Sequence, residues 1–296
     1  MPSLAIKVLF VVFPVFFTIG LGYAFARFKK IDLEPIIEVL IYLTVPALVI
    51  SSLTSRSFNA VDLATIAIAA IAVVLGTGAL SLIYLAATGR RALRGFYLPT
   101  MFMNSGNMSF PLALLAFGPD GLSVAVLYYI TISILVYSLG IYIAKGKSGG
   151  LTEMFKLPLL YSAIIGVAIT LLGLRLPAPV KSTVDMLGAA TIPLMQLGLG
   201  MRLCSARLYS HSVSVAGSVI RILGGLVFAY AAVELLGIDG LNRKIILLSS
   251  AMPSAVVSFI VSQRYNLDSD LVASTVAAST LLSIISTPLL LMWLMS

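Results

Sequence analysis

The sequence predicts an all-α polytopic membrane protein: ten transmembrane helices in two inverted five-helix repeats, with spans 4 and 9 broken near their middles. Three observations lead there. Of 296 residues, 60% are hydrophobic and only 10% charged, with a mean hydropathy of +1.09; soluble domains carry about 25% charged residues. A soluble core of this size has no room for so much apolar surface, so lipid must be the solvent. The apolar residues fall into ten stretches near the about 20 residues that a bilayer core requires. Two of these stretches, at corresponding places in the two halves, are interrupted by asparagine, serine, glycine and proline.

The first span is expected at roughly 4–27. Only Lys7 precedes its apolar run, which exceeds the core of a signal peptide, so Ser3 to Phe28 reads as a span and not a cleaved leader. The others follow at 36–54, 62–87, 94–117, 121–144, 157–174, 179–202, 212–236, 241–263 and 270–294. Connections are short, the longest polar one being KGKSGGLTEMFK between spans 5 and 6. The two repeats are accordingly 1–146 and 157–296, and function is expected from the helices and their loops.

Charge placement sets the orientation. Loops after odd-numbered spans hold Arg27, Lys29, Lys30, Arg90, Arg91, Arg94, Lys145, Lys147, Lys156, Arg202, Arg207 and Arg264. The opposite side holds half as many, namely Lys7, Arg56, Arg175, Lys181, Arg243 and Lys244. The positive-inside rule then puts both termini outside the cytoplasm and the loop at 145–156 within it. The expected location is the cell inner (plasma) membrane, crossed many times. The net charge of +8 is scattered through these loops, with no basic domain that would bind nucleic acid.

The halves carry a weak repeat. LTVPALVISSL (Leu43–Leu53) matches ATIPLMQLGLG (Ala190–Gly200), Thr44 and Pro46 being answered by Thr191 and Pro193 at an offset of 147 residues. Five spans per half is an odd number, so the halves enter the membrane from opposite sides, the arrangement of many secondary transporters. These two Thr/Pro pairs are candidates for lining a cavity; they also suit simple helix crossing.

The interruptions carry the functional signal. Span 4 breaks over Asn104–Pro111, with Ser105, Gly106 and Asn107 between, and span 9 breaks in SSAMPSAVVS, Ser249–Ser258. Proline removes a donor and clashes with the preceding turn. In hydrocarbon each freed backbone group needs a partner, so unwound backbone survives only inside protein or against a cavity. Proline and small polar residues also serve packing in membrane helices, but a matched pair of breaks points to a central substrate site. Half-helix N-termini and the Asn104 and Asn107 amides suit a carboxylate. One histidine (His211) and one cysteine (Cys204) leave no ligand set for zinc or haem, so no cofactor and no metal site is expected.

NSGNMSFPLALLAFG (Asn104–Gly118) and SSAMPSAVVSFIVSQRYNLD (Ser249–Asp268) resemble the fourth- and ninth-helix patterns of the auxin efflux carrier family, its prokaryotic members in particular. That family belongs to the bile/arsenite/riboflavin transporter superfamily, and the similarity covers essentially the whole chain. The resemblance implies a bile-acid-symporter-like fold, with spans 4 and 9 crossing at their breaks. Spans 3–5 and 8–10 would form a mobile transport domain, and spans 1, 2, 6 and 7 a scaffold. Movement would be elevator-like, and a homodimer through the scaffold is implied. Prokaryotic relatives carry small carboxylates such as malate and malonate, and plant relatives export auxin.

By this resemblance Asn104 is the asparagine that contacts the substrate carboxylate and Pro253 the proline of the span 9 break; beside them Ser105, Asn107, Met252, Pro253 and Ser254 are further candidates for substrate contact, and Gly106, Pro111 and Pro253 for the crossover. Plant members place proline directly before the asparagine, where this chain has Met103. Their polar contact from span 5 is matched nearest by Tyr128 or Tyr129, of which Tyr128 is the candidate. Their long cytoplasmic loop is absent, so regulation by loop phosphorylation is not expected.

No carboxylate lies deep in any span; Glu38, Asp62, Asp185, Glu234 and Asp270 all fall near span ends. Arg221, about ten residues into span 8, is either a snorkelling side chain or a cavity-facing charge that attracts anions. Its distance from the cytoplasmic end favours snorkelling. Coupling to Na+ or H+, anion exchange, and uniport driven by the membrane potential all stay open. The leading reading is a secondary carrier for small organic anions, auxin-like or dicarboxylate, with efflux the expected direction. Its competitors are a carrier or sensor for a larger amphipath such as a sterol or bile acid, a channel, and an intramembrane enzyme. The last lacks any acid pair or Ser/His pair at mid-span.

Overall fold

The computed structural model describes residues 3–29, 32–145, 153–204 and 211–296, and at 211 the backbone alone. Lys30, Lys147, Arg207 and the His211 side chain lie outside the described residues, as do most of the loop between spans 5 and 6 and the 146 end of the first repeat.

Helices occupy each of the ten predicted windows. They are α1 (Leu4–Phe28), α2 (Glu34–Ser55), α3 (Ala60–Ala87), α4 (Tyr97–Met101) and α5 (Ser109–Lys145), then α6 (Pro158–Leu171), α7 (Ala178–Cys204) and α8 (Ser212–Leu235), and finally α9 (Gly240–Ser250), α10 (Val256–Arg264) and α11 (Ser269–Met295). Seven of these are helices long and apolar enough to cross a membrane. No strand occurs among the described residues. The chain is therefore an all-helical, multi-pass membrane protein, and large apolar side chains such as Phe10 (73% exposed) stand on its outside, facing what must be lipid.

Local chemistry places the ends and bends. Asn59 caps α3, its Oδ1 accepting the Asp62 N–H at 2.7 Å, and Pro158 opens α6 where a missing N–H costs nothing. Before Pro46, α2 widens into a π turn at Leu40–Thr44, one of the ways a helix absorbs a proline. The loop expected between spans 4 and 5 is instead a sharp kink in α5, at Gly118 (φ 72°, ψ −169°) before Pro119. Only glycine adopts that backbone readily.

One side of the molecule is built from α1, α2, α6 and α7, with α1 running along α7 and α2 held between α6 and α7. A methyl on Gly22 or Gly200 would overlap the backbone of the facing helix, so these glycines let α1 and α7 approach at backbone distance. Elsewhere α8 packs on α3 and α11, and α9 on α5. The two groups are tied at one end. Ser123 Oγ donates to the Ser52 carbonyl (2.7 Å), and Arg56 reaches Asn242 Oδ1 (3.3 Å) and the Asp120 carbonyl (3.4 Å). Asn242 in turn donates to Asp62 (2.9 Å).

Candidate functional site

Both interruptions are real gaps in the helical winding. The first lies between Met101, where α4 stops, and Ser109, where α5 begins; the second separates Ser250 from Val256. They meet. The Asn104 N–H donates to the Pro253 carbonyl (2.7 Å) and the Ala255 N–H to the Phe102 carbonyl (2.9 Å). Met103 and Ser254 thus form an isolated antiparallel bridge. Each unwound segment supplies the hydrogen-bond partners that the other lost, the requirement for such backbone within a membrane. Side chains satisfy more of it: Ser279 Oγ accepts the Ser254 N–H (3.0 Å), and Asn104 Oδ1 accepts the Asn107 N–H (3.2 Å).

The half-helices are braced around this bridge. Ser109 pairs with Ser249 (2.7 Å), Tyr128 with Ser250 (2.7 Å), and Ser258 Oγ donates to the Leu98 carbonyl (3.0 Å). Arg221 is completely buried. Its Nη1 donates to the Thr100 and Met101 carbonyls (2.9 and 2.8 Å) and its Nη2 to the Ser250 carbonyl (2.9 Å). These are the final carbonyls of α4 and α9, the negative ends of both half-helices. The expectation of snorkelling is therefore corrected: π-turn geometry at Ile220–Gly224 and the facing Gly225, where a methyl would overlap both Arg221 and the Ser250 carbonyl, admit the guanidinium to the interior. Nor is Arg221 among the residues that line the cavity described next, its guanidinium being held by these carbonyls.

On the opposite face of the bridge lies a cavity of ≈ 170 Å³. Its floor is Met103, Asn104, Ser105, Gly106 and Asn107. One wall is α2 (Leu33, Ile36, Ile37, Leu40, Ile41, Val45), and another is α5 (Tyr129, Ile132, Ser133, Val136, Tyr137). Met195, Gly198, Leu199 and Arg202 come from α7, and Val256, Val257 and Ile260 from α10.

Of the predicted substrate contacts, Asn104, Ser105 and Asn107 border this space, as does Gly106. Tyr128, Met252, Pro253 and Ser254 do not. Tyr128 is turned to Ser250; its neighbour Tyr129 faces the cavity and meets Phe110 edge-on, with ring centroids 5.0 Å apart. Pro111 follows the break and sits in the first turn of α5, where its missing N–H is harmless. Thr44, Pro46, Thr191 and Pro193 stay out of the cavity: Thr191 Oγ1 donates to the Thr44 carbonyl (2.8 Å) where α2 crosses α7, and their neighbours Val45 and Met195 line it instead.

Several buried polar atoms have no partner, among them Asn104 Nδ2, Arg202 Nε and Ser254 Oγ. Asn104 is only 4% exposed, so an idle amide at the cavity floor is a costly feature that a ligand would relieve. Arg202 was not anticipated as a site residue, since a basic residue in the last turn of a span reads as a topology signal. No grouping of His, Cys, Asp and Glu able to hold a metal occurs among the described residues.

Comparison with known proteins shows the family. A family model for membrane transport proteins matches residues 151–291. An uncharacterized transporter of Methanothermobacter thermautotrophicus is 31% identical over 271 residues, covering 87% of this chain and 88% of that relative. A second, from Methanocaldococcus jannaschii, is 30% identical over 65% of this chain and 66% of its own length. Auxin efflux carrier component 6 of Arabidopsis thaliana is 25% identical over 43% of this chain and 24% of its own. The chain belongs to this membrane transport protein family, which spans archaeal transporters and plant auxin efflux carriers.

Proposed function

We propose that this protein is a secondary carrier for small organic anions, working by alternating access at the bridge between the two breaks. The observation that carries the reading is the Asn104 amide: buried, without a partner at Nδ2, and set against a cavity with no acid among the described residues that line it. A cavity of ≈ 170 Å³ compares with the ~150 Å³ space that holds one benzene, so it suits a short or single-ring acid. A sterol or bile acid exceeds it, and that reading is the weaker one.

The ten-span, inverted-repeat arrangement belongs to the same proposal. It is supported by Thr191 bonding to Thr44 across an offset of 147 residues, because a pseudo-two-fold axis brings a residue against its own counterpart. The α1, α2, α6 and α7 group would be the fixed scaffold, and the rest the moving body. Cavity residues of α2, α5, α7 and α10 all lie toward the loops with the positive excess, so this conformation faces the cytoplasm by the positive-inside rule. The opposite end is the one closed by Arg56 and Ser123.

Carbonyls at the ends of α4 and α9, which would otherwise be candidates for sodium, are taken by Arg221. Their occupation supports sodium-independent transport. Export of a monovalent anion from a negative-inside cell gains about 2.3 kcal/mol per 100 mV.

The test is a thermal-shift screen of the purified protein against malate, malonate and indole-3-acetate, with and without sodium. At least one acid should raise the melting temperature, equally in both salts. Asn104→Asp keeps the acceptor that holds Asn107, removes the Nδ2 donor and adds a negative charge, so it should abolish the shift. An unaltered shift in that variant, or no shift by any acid in the wild type, overturns the reading.

A further inference from the structure

The stripe of α7 that borders the cavity is Met195, Gly198, Leu199 and Arg202, spaced i, i+3, i+4 and i+7 along one helical face. Its upper end touches the break: a methyl on Gly106 would lie 2.8 Å from Met195 Cε. Seven residues further on, about 10 Å along the axis, stands Arg202. Arg202 and Asn104 border the same cavity.

Among the described residues lining the cavity, Arg202 is the one charged side chain, and none is an acid. It enters none of the ion pairs among the described residues, and its Nε is buried without a partner. An arginine that served only to set topology would extend its whole head to the interface. A position in the last turn of α7 accounts for a positive charge there, but not for an Nε buried without a partner beside an apolar wall on a half-buried arginine. Such a donor is costly until an anion completes it.

We propose that Arg202 reads the charge of the cargo, pairing with a carboxylate inside the cavity while Asn104 holds the solute's other polar end. This rests on the carrier reading above and assigns its anion selectivity to one side chain. The chemistry divides cleanly. An amide donor such as Asn104 serves any oxygen acceptor, charged or not, whereas a guanidinium matches a carboxylate as a fork and gains from its charge.

Affinities of the full-length purified protein for malonate and indole-3-acetate, each against its uncharged amide, test this. Wild type should prefer acid over amide by about 30-fold, the range of a charged hydrogen bond. Arg202→Gln should erase most of that preference by weakening the acid alone, and Arg202→Lys should restore part of it. Gly198→Val, which fills open space in the same stripe, should weaken acid and amide alike. An unchanged acid-to-amide ratio in Arg202→Gln and Arg202→Lys, with wild type still binding acid, overturns the role of Arg202 and leaves the carrier reading standing. Wild type binding neither acid removes both.

Discussion

Two arginines of this protein bury guanidinium nitrogens, and they are treated in opposite ways. Arg221 has three carbonyl partners, all 2.8 or 2.9 Å away, and no exposed surface. Arg202 has a buried Nε with no partner and a cavity beside it. The glycine one turn away repeats the contrast. Gly225, four residues after Arg221, is pressed against the guanidinium, while Gly198, four before Arg202, has nothing within 4 Å of the position a Cβ would take. A buried charge that is fully satisfied belongs to the architecture. One left incomplete next to empty space is available to a ligand.

The largest effect expected from this contrast is on stability. Replacing Arg221 by Met keeps much of the apolar stem but leaves the carbonyls of Thr100, Met101 and Ser250 without donors. Breaking such a buried charged set costs on the order of 3–5 kcal/mol. The melting temperature should fall well below that of wild type, whereas Arg202→Gln should melt close to it. Arg221→Lys should fall between, because one ammonium cannot fork across two half-helices. Equal melting temperatures for the Arg221 and Arg202 variants would erase the distinction.

A smaller effect is expected at the two glycines. In an exposed helix interior, Gly→Ala gains about 1 kcal/mol. Gly198→Ala should show that gain or be neutral, since its methyl enters open space. Gly225→Ala should reverse the sign and destabilise by about 2 kcal/mol, since its methyl would displace Arg221 or the Ser250 carbonyl. Thermal melts of the two single variants under identical detergent conditions decide it.

The sequence made the breaks legible because their residues are chemically out of place. Asn104, Gly106 and Pro253 cannot continue a lipid-facing helix comfortably, and the backbone there does leave the helical state. How the breaks satisfy one another was not legible. The bonds from Asn104 to Pro253 and from Ala255 to Phe102 join backbone groups about 150 residues apart in sequence, with no side-chain signature. Arg221 was misjudged for a related reason: depth along a helix is readable, but the carbonyls waiting on two other helices are not. Tyr128 and Tyr129 differ by one step, about 100° of helix rotation, and only packing shows that the second faces the cavity. Arg202 was visible as a charge and hidden as a site, because one arginine in a last turn serves topology and binding equally well.

The repeat-related threonines extend the contrast to its smallest scale. Thr191 Oγ1 donates to the Thr44 carbonyl at 2.8 Å, while Thr44 Oγ1 is buried with no partner. Valine has nearly the same shape as threonine and lacks only the hydroxyl. Thr191→Val deletes a made bond, worth about 0.6 kcal/mol between membrane helices. Thr44→Val deletes an orphaned hydroxyl, so it should be neutral or slightly stabilising. Two chemically identical substitutions at matched positions should therefore shift the melting temperature in different directions. A loss of the same size at both would show that what a polar group touches, the basis on which the two arginines were told apart, does not decide its worth in this bundle.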